Sequence, residues 1–211
     1  MYHKEFFADR QKIFADFCIV TLIFAMLQSC NVSKDPIRNT ARLLQKGRLT
    51  EDTSFVYSLP YEMKTCHRLI QAYFSNFSHK NRAALDFKMK RGTKIYAARG
   101  GVVLRLEKQY NNGGRRKKYR KDANYLVIQQ NDGSKSGYWH LQHNGVLVNV
   151  GDTIKQGQLI ALSGNTGYSF LPHLHFLVWT NKDGGFHQIP TRFATSKGTR
   201  YLRPLRRYCN P

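Results

Sequence analysis

Between Gly92 and Trp179 the apolar positions alternate with polar ones or fall in short blocks, and a helical spacing of three to four residues is hard to find. Blocks such as YLVIQQ (Tyr125–Gln130) and VLVNV (Val146–Val150) are rich in branched and aromatic residues. Turn formers separate them: Gly100-Gly101, Asp132-Gly133, Asn144-Gly145, Gly151-Asp152 and the stretch Gly164–Gly167. This rhythm predicts an all-β, mainly antiparallel fold, a twisted sheet or barrel-like sandwich. The N-terminus reads differently. Phe17–Leu27 (FCIVTLIFAML) is one apolar run of eleven residues, short for a membrane span and the length of a signal-peptide core. Asn31–Asp52 is polar without a clear apolar period and reads as a tether. The expected organisation is a signal or short anchor helix over 1–30, a tether over 31–53, a β domain over 54–195 and a basic tail over 196–211.

One short run carries chemistry. In PHLHF, Pro172–Phe176, an extended strand points His173 and His175 to one side and Leu174 and Phe176 to the other. Two imidazoles aimed at one point suit a metal site, because neutral imidazole is a common zinc ligand and a catalytic zinc takes three protein ligands plus an open position. Alone the pair is a weak signal, since histidines also sit in strands as hydrogen-bonded residues. Upstream, SHKNRAALDF (Ser78–Phe87) offers His79 and Asp86, and YWHL (Tyr138–Leu141) offers His140 at the end of a strand-like run. The glycines of SGNTGYSFL (Ser163–Leu171) are followed by neither a helical pattern nor a Lys-Ser/Thr pair. A tight substrate-lining loop is therefore a better reading than a phosphate cradle.

The order His79, Asp86, then His140 between an aromatic residue and Leu141, then GQLIALSGNTGYSFLPHLHF, resembles the lysostaphin and LytM-type zinc metallopeptidases that cut bacterial peptidoglycan. The resemblance runs from Leu59 to Phe193 and includes ALDF at Asp86, GTKIYAARGGVV at Gly92–Val103, ANYLVIQQNDG at Ala123–Gly133 and the stretch Val148–Gly167. It implies zinc ligands at His79, Asp86 and His175, catalytic histidines at His140 and His173, and a zinc groove on the face of the sheet. One departure is the gap of six residues between His79 and Asp86, longer than in the best-known members. Two neutral imidazoles and one carboxylate leave a dication net positive, enough to polarise water and a scissile carbonyl. His140 and His173 titrate in a range that lets them share oxyanion stabilisation and proton delivery to the leaving amine, in an order left open. The resemblance therefore implies a zinc endopeptidase acting on peptidoglycan cross-links. The alternative is a non-catalytic wall-binding regulator, which has no need of all five residues. His143 reads as a surface or supporting residue, while His3, His67 and His187 have no such context.

Charge and cysteines add the remaining expectations. Lys and Arg number 34 against 13 acids, a net charge of +21. RRKKYRK at Arg115–Lys121 concentrates it, and no acid follows Asp183 while Arg192, Lys197, Arg200, Arg203, Arg206 and Arg207 do. An anionic cell-envelope surface is the expected partner; nucleic acid is not expected, because the strands show no nucleic-acid module. LQSC at Leu27–Cys30 looks like a loose lipobox, so the chain is expected to be exported to the periplasm or envelope. It would be anchored through a Cys30 lipid, or released by cleavage, or held by an uncleaved helix. Cys66 and Cys209 then remain, either disulfide-bonded in that oxidising compartment or as two thiols.

Overall fold

Pairing of the predicted blocks produces one dominant sheet. In the computed structural model the described residues are 35–51 and 55–211. The run Phe17–Leu27 and Cys30 lie outside them, and with them the signal and lipid-anchor expectations. Eight strands lie side by side in the order Thr153–Ile154, Gly101–Glu107, Tyr125–Gln129, Lys135–Trp139, His173–Thr180, Ala84–Lys88, Cys66–Gln71 and Arg207–Cys209. His187–Gln188 pairs with the far end of His173–Thr180. All pairings in this sheet are antiparallel. Parallel pairing occurs elsewhere, between Val56–Tyr57 and Arg192–Phe193 and between Gly113–Gly114 and Gly167–Tyr168. The fold is therefore mainly antiparallel β, as the alternation predicts.

Alternation along His173–Thr180 decides what each face does. Leu174, Phe176 and Val178 enter the main core beside Leu85, Phe87, Leu126, Ile128 and Tyr138. Burying such side chains contributes about 1.5–3 kcal/mol each. His173, His175, Leu177 and Trp179 point the other way. There Leu177 and Trp179 form a smaller apolar patch with Ala84 and Val127, flanked by Tyr125 and Trp139. Gly137 makes the patch feasible: a Cβ there would overlap the Trp139 indole, which lies across this strand and meets the His175 ring edge-on at 5.7 Å. The central strand thus anchors a hydrophobic core with one face and builds a polar site with the other.

Two segments differ from the sequence expectation. The segment read as a tether carries a helix, Ile37–Lys46, whose first turn is held by the Ile37 N–H donating to Asp35 Oδ1. Gly47 ends it in a left-handed conformation at φ 66°, its N–H donating to the Leu43 and Leu44 carbonyls. Ala41 and Leu44 are buried, so the short stripe Ile37, Ala41, Leu44 is an amphipathic face after all. The segment read as a basic tail is also structural. Arg200–Tyr201 pairs with Arg192–Phe193, Leu202 and Tyr208 are buried, and Arg207–Cys209 completes the edge of the large sheet. There Cys209 faces Cys66 across the ladder and the two are joined by a disulfide. Among the described residues no helix is long and apolar enough to cross a membrane.

Candidate active site

Strand register assembles the site. His175 sits directly opposite Asp86 on one neighbouring strand and opposite Trp139 on the other, so all three side chains project on the same face. His175 Nδ1 lies 2.8 Å from Asp86 Oδ1. His79 arrives from the loop between Cys66–Gln71 and Ala84–Lys88 and brings its Nε2 to 3.1 Å from the same oxygen. The six-residue gap to Asp86 therefore holds a loop long enough to fold back over the sheet face. Ligand atoms of His79, Asp86 and His175 all lie within 4.8 Å of one another, and all three residues are buried. Gln71 holds the second carboxylate oxygen, donating from Nε2 to Asp86 Oδ2 at 2.8 Å.

His140 and His173 stand beside this group. Their rings are 4.7 Å apart, and His173 Nε2 is 3.7 Å from Asp86 Oδ1. Each has its orientation set by a backbone carbonyl: His140 Nδ1–H donates to Thr166 O and His173 Nδ1–H to Leu171 O, both at 2.7 Å. That pairing leaves the Nε2 lone pair of each ring available for other work. Thr166 is itself held, its hydroxyl donating to Leu141 O and accepting from the Asn124 N–H. His140 has a left-handed backbone, φ 64°, costly for a residue with a Cβ. This breaks the strand after Trp139 and turns the imidazole toward His173 rather than letting it continue the alternation.

Burial and neighbouring groups together set the protonation states of Asp86, His175 and His140. Burial alone would raise the Asp86 carboxyl, but the hydrogen-bonded His175 imidazole is the largest influence against it, and the group lies well below the usual carboxylate range. Burial pushes His175 down to about 4, and it pushes His140 down to about 3 with help from His173 and His175. At neutral pH the site thus holds the Asp86 carboxylate beside neutral His140 and His175. Because these two histidine values are depressed, the unfolded chain takes up protons first, near the usual histidine value of about 6.5. Their contribution to stability is complete above that pH and is lost as pH falls toward 4. Metal-free protein should therefore melt several degrees lower at pH 4.5 than at pH 7.5, with a shallower dependence in His140→Gln. A flat melting temperature in calorimetric scans would show that these rings are not held neutral.

These residues line a cleft of about 1310 Å³. One wall comes from the loop carrying Phe77 to Arg82; the other comes from Tyr168 to Leu171 together with Arg120. The loop SGNTGYSFL, expected to line a substrate, forms part of this second wall, while His143 is exposed on the strand Leu141–Val146. Gln71 had no sequence signal, and the stretches containing Thr166 and Arg120 did not single those residues out, because each acts through a partner more than a dozen residues away.

The comparisons with known proteins follow this geometry. Glycyl-glycine endopeptidase ALE-1 of Staphylococcus capitis is 35% identical over 119 residues, 56% of this chain and 30% of that protein. Peptidoglycan DD-endopeptidase ShyB of Vibrio cholerae is 39% identical over 93 residues, 44% of this chain and 19% of that protein. A zinc-containing peptidase structure from Vibrio cholerae superposes with a TM-score of 0.45 at 29% identity, covering 59% of this chain and 37% of that one. The chain spans less than a third of the length of these curated relatives. The model of peptidase family M23 matches residues 80–185, half of the chain, and that span includes Asp86, His140, His173 and His175. By that match the chain belongs to peptidase family M23.

Proposed function

We propose that the protein is a zinc endopeptidase that hydrolyses peptide cross-links of bacterial peptidoglycan, with His79, Asp86 and His175 as ligands and His140 and His173 as catalytic residues. The observation that carries this reading is the convergence of all five side chains in one cleft. The donor set suits the metal: two imidazoles and one carboxylate match a zinc site that keeps an open position. So does one buried orphan. His79 Nδ1–H points to Ala72 O at 3.4 Å, which turns the Nε2 lone pair toward a carboxylate oxygen, and Nε2 has no hydrogen-bond partner. Two lone pairs held face to face in a buried site call for a cation between them. The ion would supply Lewis-acid polarisation of water and of the scissile carbonyl.

The chain's own residues account for the rest. Gln71 keeps Asp86 oriented, and the carbonyls of Thr166 and Leu171 keep the Nε2 atoms of His140 and His173 free. Those nitrogens can accept a proton from the attacking water and return it to the leaving amine, or stabilise the developing oxyanion. The relatives named above are peptidoglycan and glycyl-glycine endopeptidases, which supports the same substrate class. A pure regulator would have no use for the buried ligand set. The apolar run Phe17–Leu27 and the Cys66–Cys209 disulfide both suit an exported, oxidising location, with the basic surface facing an anionic envelope. Digestion of defined muropeptides, read by mass spectrometry, tests the proposal. Cross-links should be cut, chelation should stop cleavage and added zinc should restore it; intact cross-links at stoichiometric zinc would leave only the regulator.

A further inference from the structure

The basic segment Arg115–Lys121 is exposed but reaches the cleft, whose lining includes Arg120. It contains a short 3-10 helix, Lys117–Asp122, and the residues before it, Gly113–Gly114, pair with Gly167–Tyr168 of the opposite loop. That contact is close enough to demand glycine on both sides. A Cβ on Gly113 would overlap the Asn165 carbonyl oxygen, and one on Gly167, at φ 76°, would come within 2.8 Å of Ala123 Cα. Two arginines of the segment are laid on aromatic rings of the cleft wall. Arg120 Cζ is 5.5 Å from the Tyr168 ring centre, and Arg115 Cζ is 5.2 Å from that of Phe170. Phe170 in turn meets Phe77 of the other wall edge-on at 5.5 Å.

Charge along this cleft is one-sided. Lys80, Arg82 and Arg120 line it, and the only acid among the lining residues is Asp86, already engaged by His79, His175 and Gln71. No carboxylate of the described residues lies within ion-pair distance of Arg120. A guanidinium held over a tyrosine ring and exposed on its other sides keeps N–H groups free for a ligand, and its fork can bind a carboxylate by two parallel hydrogen bonds. We propose that Arg120 is a specificity-determining residue that receives a free carboxylate of the peptide substrate beside the scissile bond. The protein would then select acidic peptides over the same peptides carrying an amide at that position. This rests on the peptidase reading above and adds the substrate feature that the cleft recognises.

The test uses two soluble cross-linked peptides that differ only in one carboxyl group, free or amidated. The wild-type protein should favour the acid by about tenfold in kcat/KM, the scale of one charge-assisted hydrogen-bonded pair at a partly exposed site. In Arg120→Gln the acid-to-amide ratio should fall to near one, and Arg120→Lys should restore part of it. Arg206→Gln removes the same charge from an exposed residue outside the cleft lining and should keep the wild-type ratio. An unchanged ratio in Arg120→Gln, or an equal loss in Arg206→Gln, overturns the proposal, the second because it would reduce the effect to overall charge. Calorimetric titration of both peptides into zinc-free protein separates this idea from the peptidase reading. If neither peptide is cleaved, tighter binding of the acid that Arg120→Gln abolishes still supports the subsite, and equal affinities reject it.

Discussion

His175→Ala is expected to lose metal and peptidase activity together, with turnover down by about a thousandfold or more. His175 occupies the centre of the site: it faces Asp86 across one strand pair, touches Trp139 across the other, and supplies one of three ligand atoms within 4.8 Å. Removing it leaves two ligands, too few for the four-coordinate zinc the donor set suits. The loss of Lewis-acid stabilisation is worth several kcal/mol, which sets the scale of the fall. Metal content after dialysis against metal-free buffer, measured beside hydrolysis of a defined muropeptide, checks both halves. The substitution also leaves the Asp86 carboxylate short of a donor, so His79→Ala provides an independent ligand deletion that keeps the His175–Asp86 contact. Stoichiometric zinc in either folded variant would mean that the ligands are wrongly assigned.

Much of the site can be read from spacing because its physics is local to strands. A histidine pair two residues apart must share a face in an extended strand, and Leu174 and Phe176 must then share the other, which is where the core lies. What spacing cannot provide is register. Nothing in ALDF tells that Asp86 rather than Lys88 falls opposite His175; that follows from the pairing of Leu174 with Phe87 in the core. Gln71 and Thr166 reach the site through partners distant in the chain, which no local pattern identifies.

Two features of the fold lie beneath composition. In Ile37–Lys46 the apolar positions are spaced four and three residues apart, but basic residues between them mask the stripe over so short a helix. At Arg115–Lys121 composition shows a basic run, while the pairing of Gly113–Gly114 with Gly167–Tyr168 that sets it beside the Tyr168 loop has no local signal. A charge run shows the sign of the field it makes. It does not show which part of the molecule it will be held against.

His140→Ala and His173→Ala should each keep the metal while turnover falls by roughly a hundredfold or more, the scale of losing a proton-transfer or oxyanion group. Neither ring belongs to the group of three ligand atoms within 4.8 Å, and each spends its Nδ1–H on a backbone carbonyl. His173 is the nearer of the two to the ligands, with Nε2 3.7 Å from Asp86 Oδ1, so its removal should weaken metal retention more than removal of His140. With ring centres 4.7 Å apart, the two imidazoles are close enough to serve one proton path. The double variant should then be scarcely worse than the poorer single one, because a path broken once gains little from being broken again. Independent roles would instead make the losses multiply. Zinc content by mass spectrometry and single-turnover rates on one cross-linked muropeptide distinguish these outcomes, and near-normal turnover in either single variant would remove that histidine from the reaction.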